Sequence, residues 1–431
     1  MLAFPHIVRA EPPTDTEVVM IGAGAAGLAA ARVLMKLAIP FRLIEARNRI
    51  GGRALTDIDT FGVPVDFGCS ELHNFRLNPW LGYARQNGIR VEPLPSRQTV
   101  FDGSRQLSAT ELAELGGTFQ KLQHAIRAAC AARRDIAVSD VLRQAGDGEW
   151  MPSFRLWLGP ISAGIDLDNW SLHDWCAGRS GENWFAPAGF GALIGHFGRN
   201  IPVSLNPEAT AIRWSNRSVE VLTDRGTVTA RAVIVTVPAS VLKSGALRFT
   251  PALPDWKQAA LDGLETAYYT KVLLKFRRDP FDLPHGSWAA PKVEGLQGFS
   301  FWLNPGGHGV TQAMAGGRHA LDLELAGSDV AVDAALSSLR SIAGSGIEQT
   351  FEHGTATVWA QDPYALGAWV QARPGHANAR NNLLAPLEDR VFFAGDTCHD
   401  LTPATAGGAG IVGDMVARAV ARTLGRDVPN D

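Results

Sequence analysis

The sequence predicts an α/β protein of two domains. One is built on a parallel sheet and assembled from three separated stretches of chain; the other is α+β and inserted between them. Three observations carry this. Glu17–Ile21 is a short, β-branched apolar run, the pattern of a strand buried on both faces of a parallel sheet, and it leads straight into Gly22-Ala-Gly24-Ala-Ala-Gly27. A second such run, Val233–Val237, is closed by Pro238. A third, Val391–Phe393, is followed by a turn at Ala394-Gly395-Asp396 and a helix over about Gly408–Leu424. With 431 residues, 46% of them hydrophobic, the chain can fill two cores.

The first element carries the most chemistry. After the glycines, Leu28–Lys36 is rich in helix formers, Pro40 ends the connection, and Phe41–Glu45 reads as a second strand. Gly22 permits a tight turn, Gly24 lets backbone approach a pyrophosphate, and Gly27 lets the helix pack closely on the strand. Ala25 and Ala26 open that helix, whose unpaired N–H groups and positive dipole end face the phosphates. Glu45 lies 18 residues past Gly27, where a carboxylate accepts hydrogen bonds from both ribose hydroxyls of an adenosine. A 2′-phosphate would be repelled there, so the pattern is a Rossmann unit for a dinucleotide other than NADP. Ala46-Arg47 and Gly51-Gly52-Arg53 resemble the second fingerprint of flavoproteins with the glutathione-reductase-like fold, which implies FAD. Arg53 would give it charge-assisted hydrogen bonds.

Further along, Phe61–Ser70 reads as a strand leading to a turn, and a helical region follows. There Ser108-Ala-Thr-Glu111 is a capping box, with Leu112, Leu115, Phe119, Leu122 and Ile126 as the apolar face of a helix and His124 off that face, in solvent. Val219–Thr223 and Thr227–Ala230 form a hairpin around Asp224-Arg-Gly226, and 271–352 is β-rich. The FAD-binding domain is expected over 16–75, 187–262 and 355–431, the substrate-binding domain over 76–186 and 263–354. Residues 1–15 are expected to be a flexible arm. Ala209, in the second stretch, is placed among the cofactor-binding residues.

Composition narrows the function. Forty Lys+Arg against 43 Asp+Glu give a net charge of −3, no basis for nucleic acid or an anionic membrane as partner. Cys69, Cys130, Cys176 and Cys398 lack CxxC spacing and read as buried or free thiols, with no disulfide. The eleven histidines show no ligand spacing, so no metal is expected. No run approaches the ~20 apolar residues of a membrane helix, and the opening residues lack a signal-peptide pattern. A cytoplasmic enzyme is the expectation; a homodimer stays open.

Taken in order, these residues resemble the flavin-containing amine oxidases, the group of monoamine oxidases, polyamine oxidases and histone-demethylase-like enzymes. The matches are Asp66-Phe-Gly68, Pro187-Ala-Gly-Phe-Gly191-Ala-Leu, Val235-Thr-Val-Pro238, Lys271, and Trp359-Ala-Gln-Asp-Pro-Tyr364-Ala-Leu-Gly367-Ala368 through Phe393-Ala-Gly395-Asp396, with Ala372-Arg-Pro-Gly375 as in bacterial polyamine-oxidase-like members. The resemblance implies that Gly395 admits the pyrophosphate and Asp396 binds a hydroxyl of the cofactor. Thr405, Ala406, Gly408 and Ala409 would bring the last helix to the flavin pyrimidine edge. Lys271 would hold a water at flavin N5 and assist reoxidation by oxygen, with Lys275 on the same strand face as its decoy. Trp359 and Trp369 would line the pocket, and His73 is a weaker candidate.

Two departures bear on substrate. Ala368 stands where many monoamine oxidases carry a cysteine that attaches FAD, so FAD is expected to be non-covalent. Of two aromatics that sandwich the amine, Trp369 is present and Thr405 replaces the other; the four tyrosines (Tyr83, Tyr268, Tyr269, Tyr364) are few sources for a substitute. The implied activity is hydride transfer from a primary or secondary amine or polyamine to flavin N5. Imine hydrolysis then gives aldehyde plus ammonia or amine, and oxygen yields hydrogen peroxide. Alternatives are an L-amino-acid oxidase using a cation such as Arg76 for the carboxylate, a desaturase or isomerase of an apolar substrate, and a non-catalytic flavin-binding subunit.

Overall fold

The computed structural model describes residues 15–131, 133–179, 181–281 and 283–429; the expected arm, but for Asp15, lies outside them. Strand β1 (Asp15–Ile21) runs parallel to β2 (Phe41–Glu45) on one side and to Gly226–Val235 on the other, and Val391–Phe393 adds parallel to Gly226–Val235. The three predicted pieces therefore meet in one eight-stranded sheet, whose far side is antiparallel through Val219–Thr223 and Ala209–Trp214. The expected hairpin arm and the expected buried strand prove to be one continuous strand, Gly226–Val235. Its first half pairs with the hairpin partner and its second half with β1, so no turn separates them.

Helix α1 (Ala25–Lys36) and the last helix (Ala406–Thr423) cover this sheet together. Their contact is backbone-close, since a Cβ on Gly413 would sit 2.1 Å from the Ala26 carbonyl oxygen; α1 lies as close to the turn after β1, where a Cβ on Gly27 would sit only 1.9 Å from the Gly22 carbonyl oxygen. Helix α2 (Pro79–Gln86) starts at Asn78, whose side chain accepts from the Trp80 N–H. It buries Trp80, Leu81 and Ala84 in the same core, and the Trp80 indole donates to the Ala406 carbonyl at 2.8 Å. Residues 79–86 thus pack with the first sheet, although sequence grouped them with the inserted domain.

The inserted part holds a seven-stranded sheet, in the order Phe351–Ala356, Tyr269–Phe276, Val310–Gly316, Ser300–Trp302, Trp288–Pro291, Gln98–Asp102 and Arg105–Gln106. Three expectations need correction here. Gln98–Asp102 falls in the stretch read as helical, yet it pairs in parallel with Trp288–Pro291. The stretch read as β-rich contains two helices, Gly317–Ala326 and Ser328–Ala343, which cover one face of the sheet against Val272, Leu274, Phe301, Ala313 and Ala315. Likewise Phe61–Ser70 yields strand only at Val65–Asp66.

Helix α3 (Ala109–Ala129) forms as expected, with the Ser108–Glu111 capping box closed, Leu115, Leu122 and Ile126 buried, and His124 exposed. Its end carries a further correction: Cys130 is disulfide-bonded to Cys176, with Cα atoms 5.8 Å apart, while Cys69 and Cys398 are free. The pair is 46 residues apart in sequence and meets only because helix Leu172–Ala177 packs on α3. Among the described residues no helix is long and apolar enough to cross a membrane, and no cluster of three or more His, Cys, Asp or Glu could hold a metal ion.

Candidate functional site

The parallel strands end together, and their C-terminal edges gather the predicted glycines. Gly22 sits at φ +101° beneath the Thr236 hydroxyl, which donates to the Ile21 and Gly22 carbonyls. Helix α1 begins at Gly24 with no side-chain cap, so the N–H groups of its first turn, those of Ala25, Ala26 and Gly27, keep no intrahelical partner. Gly24 and Gly51 form a β-bridge, and a Cβ on Gly52 would stand 3.3 Å from Gly24 Cα. Across the cleft Gly395, at φ +154°, has nothing within 4 Å of a would-be Cβ. A helix start without a cap, walled by side-chain-free backbone, fits a pyrophosphate.

Acidic and basic groups flank that cleft. Glu45 is buried at the end of β2, where its carboxylate accepts from the Ala23 N–H at 2.7 Å and the Arg47 N–H at 2.9 Å. Burial pushes its carboxyl above the usual range, against those two donors. Arg53 donates to Asp396 at 2.6 Å and to the Ala368 carbonyl, joining the first and third stretches of chain. Arg47 makes a two-pronged pair with Asp362 at 2.6 and 2.8 Å, under the Tyr364 ring. Ala46 lies between Glu45 and Arg47. Ala209 opens its strand next to Glu208, whose carboxylate receives the Tyr364 hydroxyl at 3.1 Å.

The last helix starts at Thr405, ahead of Ala406, Gly408 and Ala409. The Thr405 hydroxyl accepts from the Gly408 N–H at 2.9 Å and donates to the Thr402 carbonyl at 2.8 Å. Capping therefore uses the hydroxyl of Thr405, the residue that the resemblance sets in place of an aromatic ring.

The face of the second sheet opposite its two helices packs through Leu273 on Phe61 and Val65, beside the 66–70 loop. Lys271 is buried on strand Tyr269–Phe276, and its ammonium donates to the Asp66 carbonyl at 3.1 Å, the Gly68 carbonyl at 2.6 Å and the Ser70 hydroxyl at 3.0 Å. Three protein acceptors thus stand within reach of its three protons. Burial lowers its pKa, with Asp66, Cys69 and Glu71 opposing. The decoy Lys275 reaches the His308 carbonyl at the exposed end of the strand. Asp66 accepts from the Thr56 hydroxyl and from the N–H groups of Phe190 and Gly191, fixing the helix after Pro187-Ala-Gly.

Two residues that sequence reasoning left unplaced complete the wall. The Tyr269 ring stands 5.2 Å from that of Trp369, whose indole donates to the Ala163 carbonyl at 2.8 Å. Tyr269 is one of only four tyrosines, which was the available signal, but its facing Trp369 follows from strand register. Glu71 pairs in register with Phe185, accepts from the Asn183 amide at 3.0 Å, and lies close enough to Tyr269 and Lys271 to perturb both. Trp302, Met314 and Phe185 pack beside them. Trp359 donates its indole N–H to the Phe67 carbonyl at 2.9 Å, at the edge of the Lys271 loop. His73 is exposed beside Glu71, at 3.8 Å, and Arg76 is exposed over the Phe75 ring.

Fold and site together define a protein with a glycine-walled helix start that fits a dinucleotide, and a second sheet that carries the Tyr269–Trp369 pair and the buried Lys271. The chain belongs to the flavin containing amine oxidoreductase family, whose model matches residues 25–149 and 137–421. A flavin cofactor and oxidoreductase action on amines follow from that membership. Polyamine oxidase 4 of Oryza sativa subsp. japonica is 28% identical, covering 92% of this chain and 86% of its own. Polyamine oxidase 2 of Arabidopsis thaliana is 26% identical, covering 93% and 87%. The solved structure of putrescine oxidase bound to putrescine superposes with a TM-score of 0.80 at 17% identity, covering 95% of this chain and all of that one, a likeness of fold.

Proposed function

We propose that this chain binds FAD non-covalently in a glutathione-reductase-like arrangement and oxidises an amine bearing a second cationic nitrogen, a diamine or polyamine, with oxygen as acceptor. The reading rests above all on one strand, which sets Lys271 under the 66–70 loop and Tyr269 against Trp369. Bound flavin would supply the two-electron acceptor for the carbon beside the nitrogen. Gly24 and the first turn of α1 would hold the pyrophosphate, Glu45 the adenosine ribose, and Asp396, oriented by Arg53, a hydroxyl nearer the ring. Ala368 offers no thiol for a covalent link.

Tyr269 and Trp369 would flank the reacting nitrogen and keep it dry, which favours the neutral amine. A carboxylate beside that nitrogen would keep it protonated, so Glu71 suits the distal ammonium instead. Lys271, its protons bound to protein oxygens, would act as a fixed positive charge near the reacting centre. The product imine would hydrolyse to aldehyde plus ammonia or amine, with peroxide released. An amino-acid oxidase would need a cation for the carboxylate, and Arg76 lies exposed over Phe75.

The test is peroxide release by the purified yellow protein across monoamines, diamines, polyamines and amino acids, with acid precipitation to release the flavin. Turnover of diamines or polyamines with free flavin in the supernatant is expected. Silence on every amine, with a flavin still reducible by dithionite, would move the reading to a desaturase or a binding subunit. Flavin remaining in the precipitate would sink the non-covalent assignment.

A further inference from the structure

Glu324 is a buried carboxylate that none of the steps above uses. It lies on helix Gly317–Ala326 at 1% exposure, behind the strand of Lys271. One carboxylate oxygen accepts from the Thr270 hydroxyl at 2.5 Å and the other from the Ala360 N–H at 2.7 Å. Its backbone carbonyl accepts from the Gln361 amide at 2.5 Å. One residue therefore ties the strand of Lys271 and Tyr269 to the two residues that follow Trp359. The rest of that segment is held elsewhere: Thr357 by the Lys271 backbone, Asp362 by Arg47, and Trp359 itself by its indole bond to the Phe67 carbonyl and by the Gly367 N–H on its own carbonyl, which leaves Ala360 and Gln361 to Glu324.

From this geometry we infer that Glu324 is a positioning residue, holding Trp359 in the pocket whether its carboxyl is ionised or neutral. The inference rests on the proposed function, in which Lys271 and the 66–70 loop border the reacting centre; Trp359 stands at that loop through its bond to the Phe67 carbonyl. Thr270 makes both states possible, because its hydroxyl also lies 3.3 Å from the Ala320 carbonyl. With Glu324 ionised, the Thr270 hydroxyl donates to it. With Glu324 neutral, the acid proton is donated to Thr270 Oγ1 and the Thr270 hydroxyl turns to Ala320. The Ala360 N–H keeps its acceptor throughout. Both states matter near neutrality, since burial lifts the Glu324 carboxyl to about 7, opposed by Thr270 and Ala360. Tyr268 is the titratable group that feels it; Arg318 and Asp322 on the same helix are paired with each other, and Lys271 reaches the 66–70 loop.

The experiment compares Glu324→Gln, Glu324→Asp and Glu324→Leu holoenzymes. Gln can accept from Ala360 and donate to Thr270 Oγ1, reproducing the neutral state. Asp is one methylene short of reaching both partners, and Leu reaches neither. The main readout is acrylamide quenching of Trp359, isolated as the difference between each variant and its Trp359→Phe double. Spermidine oxidation from pH 6 to 9 is the second. Glu324→Gln should match wild type in quenching and pH profile, within twofold in KM. Glu324→Leu should expose Trp359 and raise KM about tenfold with a smaller change in kcat, and Glu324→Asp should fall between. If Leu does not fold, the Asp variant decides. Unchanged quenching in Asp or Leu would overturn the positioning role, and a pH inflection lost in Gln would overturn the equivalence of the two states. If neither spermidine nor putrescine is oxidised, the substrate reading fails while the quenching still judges Glu324.

Discussion

Lys271 shows how much a single side chain can be asked to do. The Lys271→Met variant removes a buried charge and leaves the Asp66 and Gly68 carbonyls without their donor. Stopped-flow should show reoxidation by oxygen slowed about tenfold or more, the equivalent of about 1.4 kcal/mol, with reduction by amine changed less. Equal slowing of both would remove the oxygen-side role. Glu71 belongs to the same scale. Glu71→Gln keeps a hydrogen-bonding amide near Asn183 but deletes the charge. KM for putrescine should rise about tenfold while KM for a monoamine of similar length stays put, and a parallel rise in both would refute distal-ammonium binding. Lys271 could be read from the sequence as a family match, but its three partners could not, because they come from a loop some two hundred residues away.

At the scale of elements, the strand–glycine–helix unit was legible because its logic is local. Each glycine answers a steric demand within one turn, and Gly27→Ala makes that demand measurable. The added methyl would meet the Gly22 carbonyl oxygen at 1.9 Å. It should destabilise the protein by about 1–3 kcal/mol through overpacking and lower the flavin-to-protein ratio, both read from thermal melts and the visible spectrum. Normal flavin content would mean that α1 can shift without cost. Elements set by partners were harder to see. Gln98–Asp102 is strand because Trp288–Pro291 offers an edge, and Gly317–Ala343 is helical because it must cover the apolar face of a sheet assembled from distant residues. Thr405 reads differently in place too, as a helix cap in addition to a substitution in the aromatic pair.

Across the whole molecule, two long-range links bind the helical segment to the cofactor domain or to itself. Asp174 and Arg380 form a buried pair at 2.6 Å between helices Leu172–Ala177 and Ala379–Leu384. Burial alone would raise the Asp174 carboxyl, but the Arg380 charge and the hydrogen bonds outweigh it and hold the pKa below its ordinary value. A depressed folded pKa contributes stability that is present above the unfolded value and lost as pH falls through the folded one. Asp174→Asn should therefore cost about 3–5 kcal/mol at neutral pH, with the deficit narrowing only below pH ~4. A deficit independent of pH down to 2 would assign the effect to packing. The second link is Cys130–Cys176. Alkylation of the unreduced, unfolded protein should label two of its four cysteines, Cys69 and Cys398. Four labels after purification from a reducing cytoplasm would show the pair open there, as thiol pools in that compartment favour.

The sequence by itself determined the cofactor unit, the family and the three-piece assembly of the first sheet. Those rest on turns, helix starts and strand patterns a few residues long, which act the same wherever the chain goes. Only the tertiary structure decided which side chains gather around Lys271. The pairing of Tyr269 with Trp369, the approach of Glu71, the three acceptors of Lys271 and the meeting of Cys130 with Cys176 all depend on strand register and helix packing. In a strand one residue of slip turns every side chain to the opposite face, and no local pattern fixes that choice.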